Sequence, residues 1–102
     1  MVGYPKHLEV EISFLSTKEG GRTQPAISIK YRPQFYFNGY DWVTIIIFQE
    51  KEFVFPGETV SAYLSFLSPE MIKEKIYNGM HFEIREGQKV VANGFVKQIL
   101  EF

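Results

Sequence analysis

The residues of this 102-residue chain with most scope for chemistry are a glycine pair beside an arginine, two histidines, and charged pairs on strands. Gly20-Gly21-Arg22-Thr23 invites comparison with loops whose backbone N–H groups cradle phosphate. A nucleotide cradle ends in Lys followed by Ser or Thr and opens a helix, because lysine charge and helix N-terminus both face the phosphates. Here the spacing differs and no helical pattern follows, so the segment reads as a permissive surface turn. His7 and His81 have no metal-ligand spacing and read as strand surface residues. Glu9 and Glu11 share one side of a strand, as do Glu83 and Arg85. Paired carboxylates do acid–base work only in a pocket that moves their pKa values, and charged pairs on strands normally form the solvated face. Cysteine is absent, which excludes disulfides and thiolate metal sites and fits a reducing compartment. No Ser or Thr has a base placed by motif. The chain reads as a non-enzyme, with no cofactor, no metal and no bound nucleotide.

The elements that must position these residues are short strands. Leu8, Val10, Ile12 and Phe14 alternate with Glu9, Glu11 and Ser13, which predicts a strand wet on one face. Residues 16–26 read as a long loop. A second strand is expected from about Ile27 to Phe37, with Pro33 at an edge or bulge because it cannot donate to a ladder. Asn38-Gly39 predicts a hairpin turn into Trp42–Phe48, an apolar run that fits burial on both faces. Phe55-Pro56-Gly57-Glu58 reads as a turn before a strand over Thr59–Phe66. Ser68 and Pro69 predict the cap and first residue of a helix that must stop by Asn78-Gly79. Closing strands are expected at Met80–Arg85 and Val90–Leu100, joined through Glu86-Gly87-Gln88-Lys89. Six antiparallel strands on so short a chain predict an all-β closed barrel, since closure removes unpaired edges.

Composition agrees with one packed domain. The chain is 45% hydrophobic and 17% aromatic, ample for a single core and incompatible with disorder. Trp42–Phe48 is the longest nearly apolar stretch, far short of the roughly 20 residues of a membrane helix. Met1 to Lys6 has no basic segment followed by an apolar run, so no signal peptide is expected and the chain reads as cytoplasmic. A net charge of −1 argues against a dedicated nucleic-acid binder, though a local basic face is compatible with it.

Three segments carry further information together: Lys18-Glu19-Gly20-Gly21-Arg22-Thr23-Gln24-Pro25, Tyr31-Arg32-Pro33-Gln34-Phe35-Tyr36-Phe37, and Phe82-Glu83-Ile84-Arg85-Glu86-Gly87. In this order and spacing they closely resemble the C-terminal domain of bacterial elongation factor Tu, whose pattern runs EGGR, YRPQFYF, a valine-containing strand, MPG, an HPI-type turn, and RFAIREGGR. Phe55-Pro56-Gly57 stands for the fourth element and Ser68-Pro69 for the fifth. The resemblance covers roughly residues 7–100, so residues 1–6 are expected to be an N-terminal extension and 7–102 the barrel domain. It implies a six-stranded antiparallel barrel, in agreement with the strand count. A chain starting at Met1 leaves no room for the family's GTPase domain or second barrel, so GTPase activity is not expected.

In that family the domain helps hold the T-stem of aminoacyl-tRNA, packs against the GTPase domain and touches elongation factor Ts. The resemblance implies RNA contacts at Gln34, Glu86 and Gly87, with Arg32, Arg85 and Lys89 as accompanying candidates. An amide and a backbone N–H can bond ribose and phosphate without reading sequence. Departures stand at Asn38, His81 and Lys89, where the family has arginine, at Val43, where it has an RNA-contacting threonine, and at Gln88, where it has glycine. Fewer cations mean less phosphate affinity. Tyr31, Phe35, Phe37 and Pro33 also suit a barrel core and a bent strand, and Arg32 and Arg85 suit pairing with Glu. Two binding readings result. The first is a protein-interaction or self-association barrel, motivated by the aromatic load that includes Tyr36, Tyr40, Trp42 and Tyr63. The second is a residual tRNA- or RNA-binding module.

Overall fold

The computed structural model describes residues 3–102; Met1 and Val2, the start of the expected extension, lie outside the described residues. Eight strands follow one another: β1 (Leu8–Phe14), β2 (Ala26–Ile27), β3 (Gln34–Phe37), β4 (Tyr40–Phe48), β5 (Phe53–Val54), β6 (Thr59–Phe66), β7 (His81–Glu86) and β8 (Lys89–Ile99). Six of them close into a barrel in the order β1-β6-β4-β3-β7-β8, every pairing antiparallel, and β2 and β5 form a separate two-stranded sheet. The expected closed six-stranded antiparallel barrel is therefore the observed architecture.

Alternation fills its interior. Leu8, Val10, Ile12 and Phe14 of β1 are buried, as are Ala62, Leu64 and Phe66 of β6 and Phe82 and Ile84 of β7. Phe35 of β3 sits at the centre, stacked 4.5 Å from Phe82 and edge-on at 5.2 Å to Phe66. Offset and edge-to-face ring pairs of this kind add attraction beyond burial. Gly94 of β8 lets the wall approach this cluster: a Cβ there would lie 2.6 Å from the Phe82 ring and 2.7 Å from the Glu11 carbonyl oxygen.

Local turns fall where the sequence places them. Phe37 pairs with Tyr40 across Asn38 and Gly39, which take φ of 48° and 86°, a two-residue hairpin of the kind that right-handed strand twist favours. Glu86 pairs with Lys89 across Gly87 and Gln88. The long loop is better ordered than its composition suggests. Ser16 and Glu19 form a reciprocal capping box around a 3-10 turn, Thr17–Glu19, which Gly20 ends in the left-handed conformation.

Four expectations need correction. The strand expected over Ile27–Phe37 is broken between Ser28 and Pro33, where Ile29 takes φ of 72°, uncommon for a β-branched residue. The broken segment still serves β4 and itself: Ile29 N–H donates to the Ile46 carbonyl at 2.8 Å, and Thr44 N–H to the Pro33 carbonyl at 3.0 Å. His7 is buried, not a surface residue; its Nδ1 accepts from Phe66 N–H at 2.9 Å while Phe102 stacks on its ring at 5.1 Å. Ser68 precedes the helical turn α1 (Pro69–Ile72), but its side chain accepts no capping hydrogen bond from it; a 3-10 turn, Lys73–Lys75, follows directly. Unbroken burial on both faces of β4 is confined to Thr44, Ile45 and Ile46; Val43 is exposed, Trp42 and Ile47 are half-buried, and Phe48 is buried on one face.

Candidate functional site

The three sequence segments that stand out along the chain meet at one end of β7. Glu86, the last residue of β7, accepts a hydrogen bond from the Tyr31 hydroxyl at 2.5 Å and forms an ion pair with Arg22. The Arg22 guanidinium also lies 4.4 Å over the Tyr31 ring and donates from Nε to the Gln24 carbonyl at 3.1 Å. One residue from each segment thus enters a single triad. Its placement depends on Gly21, pressed so close to the Leu15 carbonyl that a Cβ would lie 2.3 Å from that oxygen. Any side chain there would displace the loop that carries Arg22.

The triad is electrostatically self-contained. Burial and the Glu86 carboxylate raise the Tyr31 pKa far above its ordinary value, so the phenol stays a donor. Burial lowers the Arg22 pKa, but the hydrogen bond and charge of Glu86 outweigh it and the net displacement is upward. Neither group has a proton to exchange near neutrality.

Arg85 is held as firmly. Its guanidinium lies 3.4 Å from the Tyr36 ring centroid, bonds Glu83 through Nε at 2.8 Å, and closes a salt bridge from Nη2 at 2.6 Å. The ladder supplies this geometry by pairing Tyr36 with Glu83 and Gln34 with Arg85. The hydrogen bond that Arg85 donates to Glu83 raises the Arg85 pKa, so its charge is fixed. Arg32 is exposed and donates to the Tyr4 hydroxyl at 2.6 Å; the expected pairing with glutamate holds for Arg85 and not for Arg32.

Of the six candidate contact residues, five come together. Arg32, Gln34, Arg85, Glu86 and Gly87 line one shallow depression of about 320 Å³, with Tyr31 at its side. Lys89 stands exposed across the turn from Glu86 and does not line it. The Gln34 Oε1 is buried there without a hydrogen-bond partner among the described residues. Reasoning from sequence placed Glu83 beside Arg85 but missed the structural partners Arg22, Tyr31 and Tyr36. Arg22 and Tyr31 lie 64 and 55 positions from Glu86, and only the barrel's topology brings them to it.

Elsewhere the exposed side chains are conspicuously apolar. Ile29, Phe53 and Phe55 reach solvent, as do Leu67, Met71 and Tyr77 around the helical turn. Of the four aromatics singled out as surface groups, Tyr40 is exposed, while Tyr36, Trp42 and Tyr63 are half-buried. Among the described residues no group of three metal-ligating side chains converges, and no helix is long and apolar enough to cross a membrane. The arrangement can stack, hydrogen-bond and pair charge.

Compared with known families, residues 2–100 match the model described as the elongation factor Tu C-terminal domain. The match spans nearly the whole chain and agrees with the observed barrel.

Proposed function

This chain belongs to the elongation factor Tu C-terminal domain family, a non-catalytic domain of a translation factor, and on that footing we propose that it works as a protein-interaction barrel without GTPase activity, in the cytoplasm. The observation that carries this reading is the internal pairing of the motif residues. Glu86 is taken by Arg22 and Tyr31, and Arg85 by Glu83 and Tyr36. Charges already paired within the fold give little to a phosphate backbone, whose affinity scales with the cations it engages. Exposed Phe53, Phe55, Met71 and Tyr77 are aromatic and methionine side chains of the kinds enriched at protein interfaces. The test is sedimentation of the chain with purified translation components: an elongation factor Tu GTPase domain, elongation factor Ts, and a tRNA. Saturable binding to a protein component supports the reading; binding to tRNA alone overturns it, as does GTP turnover by the chain itself.

A second reading, a residual RNA-binding module, draws support from the depression that gathers Arg32, Gln34, Arg85, Glu86 and Gly87, with Lys89 outside it across the β7–β8 turn. The unpartnered Gln34 Oε1 and the solvent-facing Arg32 would be its working groups. It predicts salt-sensitive binding to a T-stem RNA hairpin that Arg85→Ala diminishes.

A further inference from the structure

The inner face of the β3–β4 hairpin continues past Phe35 into a line of rings. Phe35 pairs with Trp42 and Phe37 with Tyr40, so all four side chains share one face. Trp42 lies 5.8 Å from Phe37 and 5.3 Å from Tyr40, with interplanar angles of 22° and 23°. Two rings of this stack, Phe37 and Tyr40, line a cavity of about 510 Å³ at the hairpin end of the barrel, together with Asn38, Lys75, Tyr77, Met80 and His81.

The cavity holds one permanent cation and no carboxylate among its lining residues. Lys75 Nζ lies 4.5 Å over the Tyr40 ring and has no carboxylate within salt-bridge distance among the described residues. Its position is fixed from below, because Ile72 and Ile76 on either side of the 3-10 turn are buried. A second depression of about 370 Å³ shares Phe37, Asn38 and His81 with the first and runs on to Tyr36 and Arg85; its one carboxylate, Glu83, is already bonded to Arg85. An aromatic wall with a single uncompensated ammonium matches one ring and one carboxylate. A row of phosphates would call for several free cations.

We propose that this cavity seats an aromatic side chain of an acidic segment in a partner protein, with a neighbouring carboxylate on Lys75. The inference rests on the protein-partner reading and names the surface and the chemistry that the partner must bring. Ring stacking and cation–π contact supply the anchor, and the charge selects the sequence around it.

Titration of the isotope-labelled 102-residue chain with the blocked peptide Glu-Phe-Asp, followed by NMR, tests this. Saturable shifts are expected at the Trp42 indole N–H, Tyr77 and Lys75, with binding roughly fivefold weaker for Lys-Phe-Lys and for Glu-Ala-Asp. Lys75→Glu, a change at an exposed position, should reverse the preference between the two charged peptides while leaving thermal unfolding unchanged. Equal responses to both charged peptides, shifts confined to other surfaces, or shifts that grow with protein concentration alone would overturn the proposal, the last pointing to a second copy as occupant. A chain that binds a translation protein equally well with Lys75→Glu would overturn this site and leave the interaction-module reading standing. Failure of the unaltered chain to bind any translation protein would remove both.

Discussion

Glu86 is the point at which three distant segments are tied, so substitutions around it measure what the motif does for the fold. Arg22→Ala leaves the carboxylate with only the Tyr31 hydroxyl, and Tyr31→Phe leaves it with only the guanidinium. The triad is partly solvated, with side-chain exposures of 19% for Arg22 and 35% for Glu86, so full buried-pair energies do not apply. Arg22→Ala is expected to cost about 1–2 kcal/mol in chemical denaturation, and Glu86→Gln, which keeps an acceptor, about half that. His7 provides the pH signature. Burial depresses its pKa below the ordinary value against an opposing pull from Glu101, and its Nδ1 must stay unprotonated to accept from Phe66. The unfolded chain takes up that proton near pH 6.5, before the folded chain does. Stability from His7 is therefore complete above that pH and is lost as pH falls toward the depressed folded value. Unfolding midpoints measured from pH 7.5 downward should fall accordingly, and His7→Asn, which keeps an acceptor without titrating, should flatten the decline. Neither the triad nor His7 is legible in the sequence: one depends on contacts more than fifty positions apart, the other on Phe102 closing over a ring just before β1.

At the scale of elements, legibility follows the range of the determining interaction. The Asn38-Gly39 hairpin, the Phe55-Pro56-Gly57 turn and the alternation of β1 are set by neighbouring residues and can be read directly. The break over Ser28–Pro33 cannot, because the left-handed turn at Ile29 is tied to distant segments, with Ile29 N–H bonded to the Ile46 carbonyl and Ser28 N–H to that of Glu52. Gly94 illustrates the same limit. Its reason lies in the approach of Phe82 and Glu11, not in a turn. Gly94→Ala is expected to lower stability by about 1–3 kcal/mol through overpacking. Gly87→Ala, in open space at φ of 64°, should cost about 1 kcal/mol from backbone strain alone. Denaturant titrations of the two variants separate packing from conformation, since a cavity-forming change at Phe82 should relieve the ring's share of the first, leave the Glu11 carbonyl's share, and not touch the second.

For the whole molecule, a closed barrel of alternating strands places its chemistry on surfaces, and the surfaces differ in what they hold. One end binds its own motif charges into pairs, while the opposite hairpin and helical turn leave aromatic and apolar groups uncovered. Five of the six candidate contact residues share one locality, because β3 begins at Gln34 and pairs with the end of β7 at Arg85. The sequence does not disclose that two of those residues are already occupied. If these residues act as internal ties, NMR titration of the chain with a T-stem RNA hairpin in low salt will show no saturable shifts at Arg85 and Glu86. Saturable, salt-dependent shifts concentrated at Arg32, Gln34, Arg85, Glu86 and Gly87 would contradict that role.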